Sequence, residues 1–124
     1  MKTTKIVYYI STALLTAMMI MSVGMYLFNN EKITEVFTNL GYPVYLIYPL
    51  AFAKVLGVLA LWVEVSRSLK EWAYAGFFFD FMLALFAHLA IADGEFIGAA
   101  IALVFMFTSY ITWKRLIIYK SLSN

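Results

Sequence analysis

Residues 72–92 read WAYAGFFFDFMLALFAHLAIA. Asp80 and His88 are the two polar breaks in an otherwise apolar, aromatic and small-residue run. A membrane-crossing helix needs roughly 20 mainly apolar residues. The run is too long for a core strand, and Leu, Ala, Met and Phe dominate it, so it reads as a helix that spans a bilayer. Three further runs match it, at 6–28, 45–65 and 96–113. Lys2 and Lys5 ahead of the first run look like a secretion leader, but the run exceeds the ~7–15 apolar residues of such a segment. It is therefore read as a retained span.

Composition agrees. The 124 residues are 65% hydrophobic and 13% charged, against about 25% charged in an ordinary soluble domain. A soluble chain of this size could not hide so much apolar surface. A net charge of +2 gives no phosphate-binding footprint, which argues against nucleic acid as a partner. Without cysteine there is no disulfide and no thiolate metal centre. The expectation is one integral membrane domain over 1–124, all-α, a four-helix antiparallel bundle.

Lys and Arg counts orient the spans. Lys2, Lys5, Arg67, Lys70, Lys114, Arg115 and Lys120 fall on one side, and Lys32 falls on the other with Glu31, Glu35, Asp93 and Glu95. Basic residues collect on the cytoplasmic face, so both termini are expected there. Trp62, Trp72 and Trp113 would anchor that boundary, and Tyr26, Tyr42, Tyr45 and Tyr48 the outer one. Between the first two spans, Ile33, Val36, Phe37 and Leu40 recur at helical spacing. They predict a short outer-surface helix stopped by Gly41. Pro43 suits the first turn of the second span. Pro49 lies deeper and should bend it. The short 66–71 and 93–95 loops make spans two, three and four successive hairpins.

Ionisable groups inside a span are costly, roughly 2.5–3.5 kcal/mol for Lys or Asp near a helix centre. Lys54 and Asp80 lie about 16 Å and about 12 Å from the same end of their spans at ~1.5 Å per residue. They are expected to form an intramembrane ion pair. It could fix helix register, or serve a site lined also by Tyr48, Ala84 and His88; both uses stay open here. Glu64, near the inner edge, would reach water or Arg67. Gly76, Asp80, Ala84 and His88 form one ridge at i+4 intervals, expected to face inward with Phe77, Phe78, Phe79 and Phe81 around the remaining sides. Ala53 with Gly57, Gly98 with Ala102, and Ala13 with Ala17 give each other span a small face for close packing. One histidine cannot hold a bis-histidine haem. No metal-ligand spacing, nucleophile–base trio or glycine-rich phosphate loop is present.

The ordered elements Gly41-Tyr42-Pro43, Ala53-Lys54-Val55-Leu56-Gly57, Lys70-Glu71-Trp72-Ala73-Tyr74-Ala75-Gly76-Phe77-Phe78-Phe79-Asp80 and His88-Leu89-Ala90 resemble the DoxX-like family of small four-helix bacterial membrane proteins. The detailed match covers about residues 41–94. Ala92 stands where that family often has glycine. The resemblance implies an accessory subunit of a membrane-associated oxidoreductase system in a bacterial inner membrane, in some relatives a quinone-linked one; with no cofactor ligands visible in the residues, it is expected to carry no cofactor within the chain and not to be catalytic alone. It also places Lys54, Asp80 and His88 on recurring polar positions. Two alternatives follow: a bundle that binds quinone or lipid, and an assembly factor for other membrane proteins.

Overall fold

The structure is a computed structural model that describes residues 2–63, 66–92 and 94–123. Every regular element among them is helical. These are α1 (Lys2–Phe28), α2 (Asn30–Leu40), a 3₁₀ turn (Val44–Leu46), α3 (Ile47–Trp62), α4 (Arg67–Ile91) and α5 (Phe96–Ser123). Helices α1, α4 and α5, and α3 together with its 3₁₀ turn, are long and apolar enough to cross a membrane. They close a ring in the order α1–α3–α4–α5, in which every neighbouring pair runs antiparallel. The hairpins expected for spans two to four are present as α3–α4 and α4–α5 contacts.

Helix ends follow capping chemistry rather than hydropathy. The last span continues past Trp113 to Ser123, through Lys114 and Arg115, because charged side chains do not stop a helix whose backbone bonds remain available. Ser66 caps α4, its hydroxyl accepting the Leu69 N–H at 3.4 Å. At the other end Ala92 takes a left-handed conformation, φ 51°, the geometry for which glycine is favoured. Gly41 closes α2 with φ +81°, and the Tyr42 N–H reaches back to the Phe37 carbonyl at 2.9 Å. Pro49, expected to bend or loosen the second span, sits just after the point where the 3₁₀ turn gives way to α3. Helix α3 proper starts at Ile47, so Pro49 lies in its first turn, where the N–H groups have no intrahelical partner to lose. Pro43 precedes the 3₁₀ turn instead of opening the helix.

The interior is built from large side chains. Leu15, Leu61, Tyr74, Phe77, Phe81, Met106 and Trp113 are buried together. This reverses the expected arrangement of α4. Phe77 and Phe81 are the inward residues, stacked with ring centroids 6.0 Å apart, while Gly76 is exposed and Asp80, Ala84 and His88 are half-buried. Lipid is as apolar as the bundle interior, so shape decides what goes inside, and bulky rings fill the centre. At Gly57 an added Cβ would lie 2.5 Å from Phe77 Cζ, so this glycine admits the Phe77 ring between α3 and α4. At Gly76 and Gly98 a Cβ would meet nothing within 4 Å, so neither serves close packing within the chain. Ala102 is buried, whereas Ala53 is exposed. Trp113 is a core residue stacked on Tyr74 at 5.5 Å, not a boundary anchor. Trp62 and Trp72 are exposed, as rings at a lipid boundary would be.

Three hydroxyls tie the core. Ser109 on α5 bonds Thr12 of α1 at 2.5 Å and Tyr74 of α4 at 2.6 Å. Buried hydroxyls that satisfy each other avoid the penalty of an unmade bond in an apolar interior.

Candidate functional site

Helices α3 and α4 diverge enough to leave a cleft of about 310 Å³. Its walls are mainly apolar, including Leu50, Leu56, Leu69, Trp72 and Phe77, and it is lined by both Lys54 and Asp80. The two residues expected at matching depth therefore do share one space. They do not form a contact ion pair. The Lys54 ammonium instead donates to Ser22 Oγ at 2.7 Å and lies 4.1 Å from the centre of the Tyr26 ring. Both partners are on α1, four residues apart and so on one face of that helix.

The physical reason lies in the ring order. Helix α3 packs between α1 and α4, and Lys54 can send its long side chain to either neighbour. On α1 it finds a hydroxyl and a π-face. A hydrogen bond to a charged group contributes about 1.5–3 kcal/mol, and a desolvated cation–π contact about 2. Counting along the helices puts the pair level with each other but carries no information on which neighbour the ammonium would choose. Ser22 and Tyr26, polar at i, i+4 in the last turns of the first span, were the signal that could have found it.

Asp80 is left with no hydrogen bond or contact ion pair among the described residues; Lys54 is the charged side chain whose field reaches it. Asp80 is thus a carboxyl inside a membrane-spanning helix, on the wall of an apolar cleft, without a contact partner among the described residues. Three of the residues expected beside it lie elsewhere. Tyr48 is exposed, and neither Ala84 nor His88 lines the cleft. His88 stands two helical turns beyond Asp80, about 12 Å along the axis. Glu64 and Asp93 lie outside the described residues. No cluster of His, Asp or Glu among the described residues could hold a metal ion.

A second buried lysine falls in the 66–71 stretch expected as a loop. Lys70 is only 2% exposed, donates to Tyr8 OH at 2.6 Å, and lies 4.9 Å from the rings of Tyr8 and of Trp113. Nearby, Glu71 pairs with Lys114 at 2.6 Å and accepts from Tyr110 OH at 3.0 Å, tying α4 to α5.

A profile of the DoxX-like family matches residues 10–112. The match takes in most of α1 and α5 and everything between, including Lys54, Asp80 and the cleft. The chain belongs to the DoxX-like family. No curated protein and no solved structure matches it. For this DoxX-like protein the site therefore has to be read from its own geometry: four membrane-crossing helices and one cleft with an amine and a carboxyl on its walls.

Proposed function

We propose that this DoxX-like protein is an accessory subunit of a membrane oxidoreductase system, and that its α3–α4 cleft binds an apolar molecule with an oxygen-bearing head, a quinone being the class that fits. The reading places it in a bacterial inner membrane with both termini cytoplasmic and α2 on the outer face, following the bias of basic residues to the cytoplasmic side. The observation that carries it is Asp80, a carboxyl without a contact partner facing an apolar cleft. The volume lies at the small end of the ~300–1,000 Å³ typical of ligand pockets. It would take a ring rather than a whole lipid. Lys54 has donors beyond the one given to Ser22, so a quinone oxygen would accept from it. A reduced quinone hydroxyl would donate to Asp80. Both groups bind and orient; neither supplies electrons, so the partner does the redox chemistry.

Trp72 lines the cleft and serves as the reporter. A short-chain quinone titrated into the detergent-purified protein should quench tryptophan fluorescence saturably, and Trp72→Phe should remove that component. Quenching that never saturates, or that is unchanged in Trp72→Phe, would refute binding in the cleft. Separately, pulldown in mild detergent should recover a membrane oxidoreductase component; recovery of this chain alone would refute the accessory role.

A further inference from the structure

The second cavity lies at the end of the bundle where α1 and α4 begin and α5 ends. It has a volume of about 410 Å³. Arg67, Lys70 and Lys120 come to it from two helices, joined by the hydroxyl of Ser66 at the start of α4. Beside these bases the wall is apolar and aromatic, with Trp113 and Leu116. Lys70 lies deep and is already engaged by Tyr8, while Arg67 and Lys120 are exposed at the rim. The site is thus a group of cations graded from buried to exposed, set against apolar surface on a membrane helix.

We propose that this cavity binds the phosphate headgroup of an anionic phospholipid. Charge complementarity selects the anion. Basic pockets between membrane helices near one face are suited to acidic lipid heads. The apolar wall favours an amphiphile over a free ion, because a phosphate ion would gain nothing from Trp113 and Leu116, whereas a lipid can lay its glycerol and first methylenes there. The N-terminus of α4, a 25-residue helix, adds the positive end of its dipole next to Ser66 and Arg67. The attraction comes from the cluster and does not require any one ammonium to be free. This site is separate from the α3–α4 cleft, and its test does not depend on quinone binding.

Native mass spectrometry of the full chain, offered equal amounts of short-chain phosphatidylglycerol and phosphatidylcholine, tests it. Phosphatidylglycerol should be retained preferentially. Arg67→Gln and Lys120→Gln should each lower that preference roughly fivefold, the effect of about 1 kcal/mol per base near a bilayer surface. Both side chains are exposed, where an ion pair is worth at most about 1 kcal/mol, so the unfolding temperature should change little. The control is Lys2→Gln with Lys5→Gln, at the same end but outside the cavity, which should leave the preference intact. Equal retention of the two lipids would overturn the proposal. So would an equal loss in the control, which would mean diffuse attraction to the basic end, and so would displacement of the lipid by excess inorganic phosphate, which would mean a free-anion site.

Discussion

Two lysines are buried in this bundle, and their surroundings differ in one respect that matters. Lys54 and Lys70 are each held by α1, each through a hydroxyl and an aromatic ring: Ser22 and Tyr26 for the first, Tyr8 for the second with Trp113 of α5 added. Lys70 lies at the basic end, where its cavity shares it with Arg67 and Lys120. Lys54 lies within a span, and the carboxyl across from it remains without a contact partner. The same device therefore settles a cation in both places. Among the described residues, Asp80 in the middle is the acid this leaves without a contact partner on an apolar wall, which is what a ligand can use.

The comparison can be broken at several points. The largest effect is expected for Lys70→Met, which removes a charge-assisted bond and two ring contacts from a side chain with almost no exposure. A loss of about 3 kcal/mol should appear in unfolding measured in detergent. Lys54→Met should cost less, about 2 kcal/mol, because it loses one bond and one ring. Pairing it with Ser22→Ala in a double-mutant cycle should give a coupling of about 1–2 kcal/mol. The Lys54 and Asp80 cycle should give a smaller one, since those side chains do not touch. A larger coupling to Asp80 than to Ser22 would restore the ion pair. Asp80→Asn should change stability by less than about 1 kcal/mol, because no bond within the protein is lost, yet weaken binding of the reduced, hydroxyl-bearing form of the quinone about tenfold, the effect of one charged hydrogen bond, while binding of the oxidised form, which has no hydroxyl to donate, changes little. The smallest effect concerns the α4 terminus. Ala92→Gly should stabilise the fold by about 1 kcal/mol by relieving a left-handed alanine, read as a rise in unfolding temperature.

Much of the fold was legible in the residues. Four runs of the right length, short connections and a one-sided distribution of bases specify an antiparallel bundle, because the bilayer thickness and backbone hydrogen bonding leave few alternatives. Gly41 closes α2 where its flexibility is needed. The interior was less legible. Polarity and size patterns identify the buried face in water, where the hydrophobic effect sorts side chains, but in lipid Phe77 and Phe81 pack inward while Gly76 does not. Counting along the helices puts Lys54 and Asp80 level with each other, and both line the α3–α4 cleft. Their contacts were not legible, because the direction of a lysine side chain depends on which helices flank it, and the ring order with Ser22 and Tyr26 beside α3 appears only in three dimensions. Trp113 and Lys70 were assigned to the boundary for a related reason. Both lie near the end of an apolar run, yet α5 continues past that end and carries Trp113 into the core with Lys70 against it.

A hydrophobic carbodiimide, which couples to carboxyls that it can reach from an apolar phase, probes Asp80 directly. With the protein in detergent micelles, mass mapping should find the adduct on Asp80, coupling should slow when a short-chain quinone is present, and Asp80→Asn should abolish it. An Asp80 that stays unmodified, or that reacts at the same rate with and without quinone, would mean that its carboxyl does not face a ligand-accessible cleft.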